Sequence, residues 1–120
     1  MNWRLIFYRN ISGQCPLEKF INDLPDEDAK EVVASIAALR ELENNARRPL
    51  ADYLEDGIYE LRARRLKKRF RVLYTFAGKR TILLLTGIIK KSKTIPPREI
   101  KKARALKKDY LERKKGDKNG

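Results

Sequence analysis

The chemistry this chain could perform is concentrated between Gly57 and Lys91, GIYELRARRLKKRFRVLYTFAGKRTILLLTGIIKK. Basic residues stand at the joints of an otherwise apolar stretch: Arg62 to Arg71 around a first turn, Lys79 and Arg80 in a second, Lys90 and Lys91 at the end. Arginine holds phosphate oxygens through paired guanidinium hydrogen bonds, and these contacts are strongest where charge builds up. A lysine in a dense cationic field has its pKa lowered toward neutrality, so Lys90 or Lys91 could carry a proton. Glu60 falls on the same strand face as Arg62 and is the only carboxylate there. It is either a base or the arginine's partner. A hydrophobic sheet that raises Arg and Lys at its turns and margins is built to meet something anionic. The same residues also fit a basic surface that grips a ligand without catalysis.

The elements that must position these residues follow from apolar periodicity. Ile58 to Ala63, Phe70 to Ala77 and Thr81 to Ile89 read as three strands of a meander. In the second, Arg71, Leu73 and Thr75 share one face, and Phe70, Val72, Tyr74 and Phe76 the other. The third is nearly all aliphatic, as expected of a strand buried on both faces in the middle of a sheet. Asn2 to Asn10 alternates with Trp3, Leu5 and Phe7 on one face and predicts a further strand, central or well covered. Pro16 to Asn22 predicts a short helix with Leu17, Phe20 and Ile21 on its apolar edge. A second helix is expected from about Asp26 to Glu43, with Asp26, Glu27 and Asp28 at its N-terminus, where the helix dipole favours carboxylates. Its buried stripe reads Ala29, Val32, Val33, Ile36, Leu39 and Leu42, and its acidic residues read as solvated faces and caps. Asn44 to Asp56 reads as a loop. Pro96-Pro97 opens a terminal helix that reaches about Arg113, with Ile100, Ala103, Leu106, Tyr110 and Leu111 as a narrow apolar stripe. The expected organisation is a single domain over residues 1–113 and a flexible polar tail over 114–120.

Composition narrows the partners. The 120 residues carry 29 basic and 16 acidic side chains, net +13. The charge is uneven: residues 1–61 hold 7 basic and 12 acidic side chains, residues 62–120 hold 22 and 4. Solubility alone needs only a small net charge, so this asymmetry points to a polyanionic partner. No apolar run approaches the roughly 18 residues of a membrane span, and no leader pattern is present, so the expected location is the cytoplasm and no membrane partner is expected. The single cysteine, Cys15, fits a reducing compartment. The chain has no histidine, which excludes a pair of imidazoles as acid and base. No carboxylate cluster has metal-ligand spacing, so no metal or cofactor is expected.

Taken in order, these pieces resemble the HigB-type, phage-related branch of the RelE/ParE toxins of type II toxin–antitoxin modules. YRNISGQCPLEKFINDL (Tyr8 to Leu24) resembles that family's strand, Gly, Pro and Phe-rich short helix. GIYELR and FRVLYTF resemble its central strands. LLTGIIKKSKTIPPREIKKA (Leu84 to Ala103) resembles its terminal signature. The resemblance implies a small RelE-like α/β (α+β) fold: an N-terminal strand, a two-helix hairpin, an antiparallel three-stranded meander and a C-terminal helix.

It further implies a ribosome-dependent mRNA endonuclease silenced by a cognate antitoxin, expected to be a helix-turn-helix protein from the adjacent gene. The implied partners are therefore that antitoxin, mRNA and the ribosome. The arginine that these toxins use near the scissile phosphate matches Arg71, the arginine closing the preceding strand matches Arg62, and the basic pair after the last strand matches Lys90 and Lys91. This sequence departs from many relatives at Thr86, where they carry a histidine, and at Ile95, where they carry a threonine. Cutting RNA without a metal requires that the 2′-OH lose a proton, that the phosphorane be stabilised and that the 5′-oxygen gain a proton. Here those tasks fall to Arg and Lys. Arg64, Arg65, Lys67, Lys68, Arg69, Lys93 and Arg98 read as RNA grip, which positions a strand without reading its sequence. Two other readings remain open: a ParE-like inhibitor of DNA gyrase, and a non-catalytic RNA- or ribosome-binding protein.

Overall fold

The computed structural model describes residues 3–117. Its elements are β1 (Arg4–Phe7), α1 (Pro16–Asp23), α2 (Asp26–Leu42), a 3-10 turn (Glu43–Asn45), β2 (Ala51–Glu55), β3 (Ile58–Arg65), β4 (Lys68–Phe76), β5 (Thr81–Ile89) and α3 (Pro97–Asp117). This is the expected α+β class, with one more strand than the sequence announced. The five strands form one sheet in the order β1-β5-β4-β3-β2. β1 runs parallel to β5, and every other pair is antiparallel.

β1 is shorter than the expected strand, β3 and β4 each extend two residues further toward the turn between them, to Arg65 and from Lys68, and three other features differ from expectation. Ala51–Glu55, read as loop, is an edge strand, because Asp56 and Gly57 both take positive φ (51° and 77°). That is what a tight two-residue hairpin turn requires, and Asp-Gly supplies it at low cost. β1 is an edge strand rather than a central one. α3 continues four residues past Arg113 to Asp117, so the first part of the expected tail is helical, and the rest of that tail lies outside the described residues.

The pleat sorts side chains into two cores. Phe70, Val72 and Tyr74 of β4 join Leu61, Ala63, Ile82 and Leu84 against Leu17 of α1 and Val32, Ile36 and Leu39 of α2. Leu73 joins Ile58, Leu83 and Leu85 against Ile95, Ile100 and Ala103 before and in α3. The α1–α2 hairpin therefore covers one face and α3 the other. Each fully buried Leu or Ile contributes about 1.5–3 kcal/mol relative to exposure. The α2 stripe is narrower than its periodicity suggested, since Val33 is 52% and Leu42 44% exposed.

Two side-chain relationships fix the helices on the sheet. A Cβ at Gly87 would collide with the ring of Phe20, so α1 sits where only a strand glycine admits it. On the other face, the Tyr8 hydroxyl donates to Asp109 Oδ2 at 2.5 Å, and Arg113 Nε donates to the same oxygen at 3.1 Å. Burial and the neighbouring Asp109 carboxylate hold the Tyr8 hydroxyl above its ordinary pKa, so it remains the donor. Among the described residues, no helix is long and apolar enough to cross a membrane.

Candidate functional site

The β3–β4 hairpin turns through Leu66 and Lys67, and this tight turn sets its register. Arg62 lies opposite Arg71, Arg64 opposite Arg69, and Arg65 opposite Lys68. Like charges directly opposite one another repel, so each pair requires a counter-charge or solvent. The first pair has Glu60, two residues before Arg62 and on the same face. Arg71 Nε donates to Glu60 Oε1 at 3.2 Å, and Arg62 Nε donates to Glu60 Oε2 at 3.0 Å. Arg71 Nη1 also donates to the Phe70 carbonyl at 3.0 Å. Arg62 Nη2 reaches Asp52 Oδ2 of β2 at 3.5 Å, and Asp52 in turn holds Arg48 Nε at 3.1 Å. The result is one chain of alternating charge across three strands, Arg48–Asp52–Arg62–Glu60–Arg71.

The electrostatics extend the cluster to Lys90. Its backbone N–H donates to the Arg69 carbonyl at 2.8 Å, a last rung tying the end of β5 to β4. Burial lowers the Lys90 pKa, and Arg71, Arg69 and Arg62 push it the same way against the pull of Glu60. Burial also lowers the Arg71 pKa, with Arg62 and Arg69 adding to the effect and Glu60 opposing it. Arg62, Arg69, Arg71, Lys90 and Glu60 thus form one interacting set. Lys91 follows Lys90 but is exposed. In register, Glu60, Leu73 and Thr86 make one row across this face, and Arg62, Arg71 and Ile88 the next. Thr86 is therefore beside the set and is buried.

The candidate grip residues divide. Arg64 lies on the Arg62 side of β3 and is exposed, as are Lys67 at the turn and Lys93 and Arg98 around the start of α3. Arg69 is half-buried within the set. Arg65 and Lys68 go elsewhere: they point to the α2 side of the sheet and clasp Asp28. Arg65 Nη1 donates to Asp28 Oδ1 at 3.2 Å, and Lys68 Nζ donates to Oδ2. The Lys68 hydrogen bond, seconded by the Lys68 charge and by Arg65, holds the Asp28 carboxyl below its ordinary pKa. Asp28 is thus buried and paired, not the solvated cap its place at the helix start suggested. The cause is tertiary, since the α2 N-terminus packs under the base of the hairpin.

Sequence reasoning missed Asp52 and Arg48, because their segment read as loop. The Asp56-Gly57 pair and the alternation in ADYLE were the signal for a hairpin strand that would carry Asp52 onto the Glu60 face. With its free guanidinium edges beside a half-buried ammonium, the set can bind an anionic oxygen and place a titratable amine next to it. Among the described residues, Arg62 Nη1 and Arg71 Nη2 make no hydrogen bond to protein.

A family model described as phage-derived protein Gp49-like matches residues 19–108, a span that holds β2 through β5 and every residue of this set. No curated protein matches the chain.

Proposed function

The chain belongs to the Gp49-like family of phage-derived proteins, within the RelE/HigB-like toxin superfamily, and from that premise we propose that it is the toxin of a type II toxin–antitoxin module. In this reading it is a ribosome-dependent mRNA endonuclease of the HigB type. The observation that carries the reading is the Arg62–Glu60–Arg71 bridge beside Lys90. It presents two preorganised guanidinium groups and one amine of lowered pKa at a single point on a basic face. Donors fixed before the reaction stabilise developing charge without reorganisation.

In the proposed reaction the mRNA 2′-OH attacks the adjacent phosphate, the bond to the 5′-oxygen breaks, and a 2′,3′-cyclic phosphate and a 5′-hydroxyl remain. Arg62 and Arg71 hold the non-bridging oxygens as charge accumulates. Lys90 moves a proton, its lowered pKa bringing it closer to the operating pH than an ordinary lysine. Glu60 keeps the guanidinium groups aligned. Arg64, Lys67, Arg69, Lys91, Lys93 and Arg98 contribute long-range attraction for the RNA backbone, and a cognate antitoxin silences the toxin.

The test is induction of the gene in cells, with and without the neighbouring open reading frame. The expected result is growth arrest relieved by the neighbour, with mRNA cut inside coding regions and cyclic phosphate ends. Intact mRNA with DNA breaks and an SOS response would instead identify a gyrase poison. Salt-sensitive RNA binding with no cut product on purified ribosomes would identify a binding protein.

A further inference from the structure

Where β2 meets the segment that follows the 3-10 turn, the sheet's α1–α2 face carries a cavity of about 530 Å³, whose aromatic lining the charged set does not use. Tyr53, Tyr59 and Tyr74 line it from three adjacent strands, with Arg47, Arg48 and Asp52 around them. The rings are ordered: Tyr59 stacks on Tyr74 at 5.4 Å between centroids, and Tyr53 meets Tyr59 edge-on at 5.0 Å. Tyr53 is 51% exposed, and its hydroxyl accepts from the Gly57 N–H at 3.0 Å, which holds the ring at the sheet edge.

Two features separate this cavity from a gap in the core. Tyr74 is only 1% exposed, yet its hydroxyl makes no hydrogen bond to any described residue. Among the described residues no buried side-chain polar atom lacks a partner, so this hydroxyl is not sealed in the core: it opens into the cavity, where a ligand acceptor can reach it. Burial pushes the Tyr74 pKa up to about 12, so the hydroxyl keeps its proton to donate. The second feature is continuity. Asp52 lines the cavity and also bonds Arg62 of the cationic set, and Arg48 bonds the same Asp52. The cavity and the set are thus on opposite faces of one sheet edge and share a residue.

We propose that this cavity binds a nucleobase of the same RNA strand whose phosphate is held at Arg62 and Arg71. Tyr53 supplies the ring face, the Tyr74 hydroxyl donates to a base acceptor, and Arg47 and Arg48 meet the flanking phosphates. The strand wraps the β2 edge. Aromatic stacking beside cationic groups is the general solution for single strands, tolerant of sequence because every base has a π-face. The assignment rests on the RNA reading above and adds a second contact to it.

The experiment compares two short, labelled 2′-O-methyl RNA oligomers, one with all its bases and one abasic at several positions, by fluorescence anisotropy at fixed salt. The methyl group blocks 2′-OH attack, so binding is read without cleavage. The expected result is that the wild-type protein binds the base-bearing oligomer about tenfold more tightly. Tyr53→Ala, at an exposed position, should erase that preference, and Tyr53→Phe should restore it. Equal affinity of the wild-type protein for both oligomers, or an undiminished preference in Tyr53→Ala, overturns the subsite. Absence of RNA binding by the wild-type protein overturns it too. Cleavage of mRNA on ribosomes, measured in parallel, reports on the nuclease reading alone. Cleavage without base preference removes only the subsite.

Discussion

Arg71 and Glu60 form a buried ion pair between neighbouring strands, Nε to Oε1 at 3.2 Å, with side chains 8% and 5% exposed. Their relation to Arg62 makes the pair more than a structural contact. Glu60 accepts from both arginines, so one carboxylate sets the spacing of two cations that would otherwise repel. Breaking such a pair leaves an uncompensated buried charge, which is costly. Arg71→Ala should therefore abolish toxicity and also lower stability by about 3 kcal/mol. Arg71→Ala with Glu60→Gln should recover part of that stability and none of the toxicity. Chemical denaturation of both variants together with a growth assay checks this, and wild-type toxicity in either one refutes the assigned role.

Glu60→Gln alone separates a positioning role from a general base. The amide keeps the shape and one acceptor but removes the negative charge. If Glu60 only aligns the arginines, RNA affinity should rise, because the local cationic field loses its counter-charge, and cleavage should fall by about tenfold or less. If Glu60 is the base, cleavage should fall by about a hundredfold or more while binding is kept. Single-turnover cleavage on ribosomes distinguishes the two.

Lys90 gives a pH signature. Its folded pKa lies below the ordinary 10.5, so between the two values the unfolded chain binds more protons than the native one. Stability linked to this group therefore increases as the pH rises through that window. Lys90→Met should raise the melting temperature at neutral pH, with the difference from wild type vanishing above the ordinary lysine range. The same substitution should abolish cleavage. A melting-temperature difference that does not change with pH would show that Lys90 carries no such penalty.

Asp28 has the opposite sign. Its carboxyl is held below its ordinary value of 3.8 by Lys68 and Arg65, so its stabilising contribution is present above that value and is lost as the pH falls through the lowered one. Asp28→Asn should lower the melting temperature at neutral pH and converge with wild type in acid. RNA binding by Asp28→Asn should not weaken, since Arg65 and Lys68 serve the clasp rather than the ligand.

Gly87→Ala tests the seat of α1. The new methyl group would run into the Phe20 ring, a cost of about 1–3 kcal/mol by analogy with overpacked cores. Adding Phe20→Leu should relieve most of it. Thermal unfolding of the single and double variants reads this directly, and additive losses would refute the steric account.

The sequence by itself determined the period-2 faces of the strands, since alternation depends only on the pleat. It determined the concentration of positive charge after residue 61 and the turns at Asp56-Gly57 and Gly78, where the backbone takes positive φ. It also placed Glu60 and Arg62 on one face, because they are two residues apart on one strand. It could not pair the strands. The register of β3 against β4 put Arg71 beside Arg62, and a slip of one residue would have sent it to the other face. Nor could local pattern show that Arg65 and Lys68 are taken up by Asp28, some 37 and 40 residues away. The same holds for Asp52, which reaches the arginine set only because β2 docks on β3. The cavity under Tyr53, Tyr59 and Tyr74 is likewise assembled from three strands. Alternation and charge are local properties of the chain. Counter-ion choice, burial and the pKa shifts that follow are properties of distant residues brought into contact, and only the tertiary structure decided them.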